Sequence, residues 1–358
     1  MNNTVPEMMM AIINHGPNDY RLETVPTPKA GPGELLVKVG ACGICASDVK
    51  CHSGAHMFWG ENPWVKPPVV PGHEFFGSVV DVGDGADKKW NVSIGDRVIA
   101  EQIIPCGECM FCKSGNYWMC EPHDMYGFQS QIADGGMAEY MVFKPNSRVH
   151  KIPDSLSLAD AAIIEPMACS IHTVNRADIG FNDVVVIAGA GPLGLGMVQA
   201  AKLRTPKILV VIDSLDDRLE LSKTYGADVV INPLKQDAIA MVKELTGGYG
   251  CDIYIEATGS PVGVTQGLEM IRKLGRFVEF SVFGKETMAD WSIIGDRKEL
   301  DIRGAHLGPY CYETVINLFE RGLITSKGIV TNQYPLTDWE NAYEVAASPN
   351  SVKVLLIP

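Results

Sequence analysis

Two textures of apolar patterning divide this chain. Before residue 160 the hydrophobic positions come in short runs, ELLVKVGACGI, VVPGHEFFGSVVDVG and DRVIAE, broken throughout by Gly and Pro. Such runs read as short strands joined by tight turns. From about residue 183 the spacing changes. Runs rich in β-branched residues (VVVIA, ILVVI, ADVVIN, DIYIEATG, GRFVEFS, LDIRGAH) alternate with stretches of helical spacing, among them DAIAMVKELT and VTQGLEMIRKL. Strands alternating with helices predict a doubly wound parallel sheet. The last stretch, YPLTDWENAYEVAASPNSVKVLLIP, predicts a helix and then a strand that returns to the first domain. With 358 residues the chain is too long for one ordinary core, so two domains are expected.

The second texture opens on a glycine turn. VVVIAGAGPLGLGMVQAAKL places Gly189, Gly191, Pro192, Leu193 and Gly194 between a strand and a helix. A second apolar run ends at Asp213, nineteen residues beyond Gly194. GxGxxG alone is a weak signal, but this strand–turn–helix–strand setting is what a dinucleotide requires. Gly189 permits the turn, Gly191 lets the pyrophosphate approach, and Gly194 lets helix and strand pack closely. Pro192 sits where its missing N–H costs little, and the helix N-terminus offers N–H groups to phosphate. Asp213 can accept from both ribose hydroxyls and would repel a 2′-phosphate, so NAD is expected rather than NADP. Arg218 is the other candidate on the cofactor side, although its place one helical turn further on favours a solvent-facing guanidinium.

Cys106, Cys109, Cys112 and Cys120 fall within fifteen residues, CGECMFCKSGNYWMC. Thiolates so spaced can wrap one tetrahedral ion, and a closed shell of four sulfurs suits structural zinc. Disulfides fit poorly at x₂ spacing, and the last gap departs from the bacterial ferredoxin pattern. A site of this kind holds a loop, so the chemistry must lie elsewhere. The net charge of −13 argues against a nucleic-acid or anionic-membrane partner. No apolar stretch approaches the ~20 residues that span a bilayer, and the N-terminus lacks a basic region and cleavage site. A cytoplasmic, soluble protein is expected, with cysteines serving metal rather than disulfides.

Three residues elsewhere could carry chemistry: Cys45 in GICASD, His73 in PGHEFFG and Glu165 in IIEPMACS. Spacing cannot show that they converge, and a lone Cys or His is as well read as core or turn. Glu165 is harder to set aside, because a carboxylate in an apolar run wants a cation, a metal or a proton.

Taken together, GICASD, GHE, GDRV–AE, the four-cysteine run, IEP and AGAGPLG follow the order seen in zinc-dependent medium-chain dehydrogenases/reductases, which this chain resembles over essentially its whole length. The resemblance implies a discontinuous GroES-like β-rich catalytic domain, at 1–162 and 298–358, interrupted by a Rossmann NAD-binding domain at 163–297. It implies two zinc ions. Cys45, His73 and Glu165 or Glu74 would hold the catalytic one, and the four cysteines, in a lobe at about 101–124, the structural one. The ethanol-type branch has Cys at the IEP position; Glu there points to the sorbitol, threonine and butanediol branches. It also implies a proton relay that starts at Ser47. The family's usual terminal His is replaced by Lys50, which leaves Lys50 or neighbouring His52 to finish it.

By family position, His56 and Trp59 border the substrate pocket, and IRGAHLGPYCY adds Arg303, His306 and Tyr310. Polar groups beside an aromatic wall suit a polyol. The expected reaction is oxidation of a secondary hydroxyl of a sugar alcohol to the ketose, in an enzyme that is a homodimer or homotetramer. Sorbitol-type and small tetritol substrates are both compatible. The rivals are threonine 3-dehydrogenase, butanediol dehydrogenase and, from another class, a non-catalytic scaffold that binds NAD and zinc.

Overall fold

The computed structural model describes residues 5–358; residues 1–4, the start of the expected first domain and of the segment read for targeting, lie outside it. The chain divides into two compact units, Met1–Glu165 with Tyr312–Pro358, and Pro166–Cys311.

In the first unit the short apolar runs form a seven-stranded, largely antiparallel sheet. Leu35–Ile44 pairs with Glu74–Val82 on one side and with the chain's last strand, Lys353–Ile357, on the other. The register sets Glu74 opposite Gly43 and Val354 opposite Ile44. Three segments thus meet at one end of the sheet: the end of Leu35–Ile44, the start of Glu74–Val82 and the start of Lys353–Ile357. A side chain at position 43 would overlap the Glu74 carboxylate, which explains the glycine there. Leu36, Val37, Phe75, Phe143 and Leu356 are among the buried residues that make the core of this unit.

In the second unit six strands lie parallel: Val184–Ala188, Ile208–Ile212, Val229–Ile231, Cys251–Glu256, Ile271–Glu279 and Asp301–Gly304. Counted in chain order they are arranged third, second, first, fourth, fifth, sixth, the doubly wound arrangement that binds dinucleotides at its carboxyl edge. All five residues of Val184–Ala188 are buried, as expected for a strand covered on both faces.

Three boundaries differ from the sequence expectation. The first crossover, expected at 162/163, falls at Glu165/Pro166. Helix Pro261–Met270 ends four residues before the apolar spacing does, because Ile271 leaves it to pair with Cys251 in the parallel ladder. The expected crossover at 298 also moves. Asp301–Gly304 bonds to Ile271–Glu279 as the sixth strand, and the second unit runs on to Cys311. Among the described residues no helix is long and apolar enough to cross a membrane.

Candidate functional site

The four cysteines of the lobe gather as their spacing predicts. Their sulfurs lie within 4.8 Å of one another, and those of Cys106 and Cys112 are 3.9 Å apart. Zn–S bonds of about 2.3 Å in a tetrahedron require about 3.8 Å. Backbone N–H groups already point at the sulfurs. Cys106 Sγ accepts from Glu108 and Cys109, Cys109 Sγ from Cys112 and Glu121, and Cys120 Sγ from Cys106. The N–H groups of Cys112 and Glu121 pull the Cys109 thiol down to about 6, toward the thiolate a metal needs. The donor set fits a closed structural zinc.

The second cluster is assembled at the sheet end described above. Cys45, His73 and Glu74 bring ligand atoms within 4.8 Å of one another. Cys45 is the N-cap of helix Ala46–His52, and its own N–H donates to Asp48 Oδ2 at 2.8 Å. The other Asp48 oxygen lies 3.3 Å from His73 Nδ1. A carboxylate behind one ring nitrogen leaves Nε2 for a metal, the usual support of a ligating histidine. Burial pulls the His73 imidazole down, but Asp48 and Cys45 outweigh it and hold it well above its ordinary value. The pocket thus favours a cation at this position, and zinc would take the place of that proton. One thiolate, one imidazole and a carboxylate around an open position fit a catalytic zinc.

Of the two carboxylates expected there, Glu74 is in the cluster and Glu165 is not among the side chains whose ligand atoms gather there. Both Glu74 oxygens accept from buried Lys353 Nζ, at 2.7 and 2.6 Å, and Nζ also donates to the Ile44 carbonyl at 3.2 Å. Burial lowers the Lys353 pKa, yet Glu74 and the neighbouring Cys45 raise it further, so the ammonium stays charged. Glu165 Oε1 accepts from Gln102 Nε2, and Gln102 Oε1 accepts from the Tyr312 hydroxyl at 2.6 Å.

Of the expected relay, Ser47 and Lys50 lie half-buried, three residues apart and on one face of helix Ala46–His52. His52 packs edge-on against Tyr20, Tyr343 and Trp339, with ring centroids 4.7, 5.4 and 6.1 Å away. Burial lowers its pKa and keeps it neutral. His56 is exposed, whereas Trp59 is half-buried and its indole N–H donates to the Cys51 carbonyl at 2.7 Å. Cys42, three residues before Cys45, is buried and its thiol is raised by burial.

In the second unit the glycine turn takes the expected form. Gly189 has φ +101°, and a side chain there would collide with the Ala257 carbonyl; one at Gly194 would collide with the Gly189 carbonyl. A side chain at Gly191 would meet open space, the room a pyrophosphate needs. Helix Pro192–Lys202 begins there with no side-chain cap on its N–H groups, and Leu193 sits in its first turn. Asp213 Oδ2 accepts from Ala190 N at 2.7 Å and Oδ1 from Leu215 N at 2.9 Å. Each oxygen retains a second acceptor direction for a ribose hydroxyl. Arg218 is half-buried on helix Asp216–Thr224. Arg303 is committed to Asp301, at 2.9 Å, and to the Arg176 carbonyl, also at 2.9 Å, while His306 is half-buried just beyond the last strand.

Sequence reasoning missed Asp48, Lys353, Gln102 and an acid pair in the second unit. Asp48 stood in the open, three residues after Cys45. Lys353 is a lone cation in the apolar run VKVLLI, a signal of a buried partner. Glu256 and Glu279 are register partners at the carboxyl ends of neighbouring strands. Burial and the Glu256 charge push Glu279 up to about 7, against a smaller opposing effect of the Ser281 N–H.

Comparison with known proteins shows the family. Residues 31–154 match the alcohol dehydrogenase GroES-like domain, and residues 192–321 the zinc-binding dehydrogenase domain. The chain is 51% identical to erythritol/L-threitol dehydrogenase of Mycolicibacterium smegmatis, covering 100% of both chains. It is 36% identical to D-arabitol-phosphate dehydrogenase of Enterococcus avium, over 92% of this chain and 91% of that one. Among solved structures, a zinc-binding dehydrogenase of Sinorhizobium meliloti 1021 bound to NADP superposes with a TM-score of 0.88 at 29% identity, covering 99% of this chain and 100% of that one.

Proposed function

This chain belongs to the zinc-binding medium-chain alcohol and polyol dehydrogenases, and from that membership we propose that it oxidises a secondary hydroxyl of a small polyol, of the erythritol/threitol class, to the ketose with NAD. The full-length 51% identity to an enzyme named for those tetritols carries the substrate reading. Asp213 at the end of the second parallel strand supports NAD over NADP, although a structural neighbour binds NADP.

Zinc held by Cys45 and His73, with Glu74 or Glu165, supplies Lewis acidity, and bound NAD the hydride acceptor. Asp48 orients His73 for that task. Lys353 balances the charge of Glu74 and holds its carboxylate in place. Ser47 Oγ would take up the hydroxyl proton while passing its own outward to His52, or to Lys50 only in its uncharged form, since an ammonium cannot accept one. His52 suits this step because burial keeps its imidazole neutral and able to accept a proton. The first turn of helix Pro192–Lys202 and the open space at Gly191 hold the pyrophosphate. His56 and Trp59 are the candidate substrate contacts of the first unit.

A rate panel with erythritol, threitol, sorbitol, threonine and 2,3-butanediol, following NADH absorbance and repeated with NADP, tests the reading. Highest kcat/KM on a tetritol with NAD is expected. Preferred turnover of threonine or butanediol would overturn the polyol assignment, and no turnover with any of them would favour the scaffold. Comparable pH–rate profiles for wild type, His52→Ala and Lys50→Ala would remove both residues from the relay.

A further inference from the structure

Glu165 stands at one end of a run of contacts whose other end lies inside the cysteine lobe. Tyr117, between the third and fourth cysteines, donates its hydroxyl to Glu101 Oε2 at 2.7 Å. Glu101 is buried, and its other oxygen accepts from Arg148 Nε and His150 Nε2, both at 3.1 Å. The Arg148 guanidinium in turn covers the Tyr117 ring at 4.3 Å. The His150 ring stacks on Tyr312, centroids 5.2 Å apart and planes 13° from parallel. Tyr312 donates to Gln102 Oε1, and Gln102 Nε2 donates to Glu165. Glu101 and Gln102 are also adjacent in the chain, so a shift of the first moves the second.

The direction of these bonds is fixed by chemistry. An ionised carboxylate only accepts, so the amide nitrogen of Gln102 must face Glu165 and its oxygen must face the Tyr312 hydroxyl. A flipped amide would set oxygen against carboxylate and nitrogen against a donor. Gln102 therefore has one productive orientation, and Tyr312 enforces it. Likewise Glu101 gathers three donors from two segments, Tyr117 of the lobe and Arg148 and His150 beside each other on a second, and each is tethered by a further contact. A network centred on a buried carboxylate favours one arrangement, because losing a donor leaves that carboxylate's buried oxygen unpaired.

We propose that Gln102 and Tyr117 are positioning residues through which the four-cysteine lobe sets the orientation of Glu165 at the catalytic cluster. The lobe then has a task beyond holding its own loop: it tunes how tightly the Cys45–His73 site grips its ion. The inference rests on Glu165 belonging to that site. Outer partners of metal ligands typically change affinity about 10- to 100-fold when removed; coupling through a more distant residue is smaller, about 3- to 10-fold.

The test reads metal affinity rather than turnover. Protein stripped at the catalytic cluster and keeping its lobe zinc is titrated with Co²⁺ against a competing chelator, following the thiolate-to-cobalt absorption band. Wild type, Gln102→Leu, Tyr117→Phe, Glu165→Ala and the double variant Tyr117→Phe/Glu165→Ala are compared. Weakening of about 10- to 100-fold is expected for Gln102→Leu and of about 3- to 10-fold for Tyr117→Phe, with one zinc per chain retained in the lobe. In the Glu165→Ala background, Tyr117→Phe should have no further effect. Wild-type affinity in Tyr117→Phe would overturn the proposal, and so would equal weakening with and without Glu165, which would mark a general loosening of the fold. Tyr117→Phe removes one oxygen and decides the matter alone if Gln102→Leu does not fold. Failure of wild type itself to bind Co²⁺ at this cluster would instead overturn the underlying reading of the catalytic site.

Discussion

The cysteine lobe and the Cys45 cluster are both sets of metal-seeking side chains, yet they are built in opposite ways. The lobe draws its four donors from fifteen consecutive residues, and the local backbone turns its own N–H groups onto the sulfurs. The Cys45 cluster is assembled from segments far apart in the chain, brought together where three strands end side by side. Its donors are mixed, and buried ions surround them: Asp48 behind His73, Lys353 against Glu74. A contiguous site can form wherever its loop is made. An assembled site depends on sheet register, and on the pairing of every buried charge around it. The glycine turn with Asp213 belongs to the contiguous kind, and the acid pair Glu256–Glu279 to the assembled kind.

The largest expected effect breaks the assembled site. Cys45→Ser should lower kcat/KM by about 10³-fold or more, since the Lewis acid is worth several kcal/mol of transition-state stabilisation. Metal analysis should then find one zinc per chain, held by the lobe; two zincs would show that Cys45 is not a ligand. Asp213→Ser should cut the NAD-over-NADP preference by roughly 10- to 100-fold, the worth of hydrogen bonds to a charged group. An unchanged ratio of kcat/KM values for the two cofactors would remove Asp213 from cofactor selection. Cys112→Ser opens the contiguous site. It should release the lobe zinc and lower Tm by roughly 5–15 °C while NAD affinity stays near wild type, because the loss is one of local structure. A Tm within 1 °C of wild type, on the order of measurement error, would deny the lobe a structural role.

The smallest effect sharpens the assembled acid pair. Glu279 titrates at about 7 in the folded chain against an ordinary 4.5. The folded chain therefore holds this proton more tightly than the unfolded chain does, and its contribution to stability is lost as pH rises from about 4.5 to about 7. Glu279→Gln should leave Tm near wild type at pH 5 and raise it by a few degrees, on the order of 2–4 °C, at pH 8. Equal Tm differences at both pH values would contradict the assignment.

The same division explains what was legible in the sequence. The parallel sheet, the glycine turn and the four cysteines announce themselves because strand period, turn chemistry and ligand spacing are local properties. Helix Pro261–Met270 looked longer than it is, because the apolar spacing of Ile271–Leu274 serves a strand and a helix equally until ladder pairing decides. For the sixth strand, Asp301–Gly304, the alternation of LDIRGAH with helical stretches pointed to the parallel sheet, and the boundary at 298 implied by the resemblance assigned it to the other unit. Cys45, His73 and Glu165 could be joined into one metal site only by resemblance. Their supporting residues escaped notice because nothing near Gln102 in the chain predicts Tyr312 across from it, 210 residues away. Partner choice of that kind is a product of tertiary packing.

Stepwise removal of metal tests the central claim most directly. Protein is dialysed against a chelator of increasing strength, with zinc per chain and tetritol oxidation measured at each step. Four thiolates grip zinc harder than the mixed cluster does, so turnover should vanish as zinc falls from two per chain to one, and should return when Zn²⁺ is added. Undiminished turnover in protein that holds zinc only in its lobe would contradict the account.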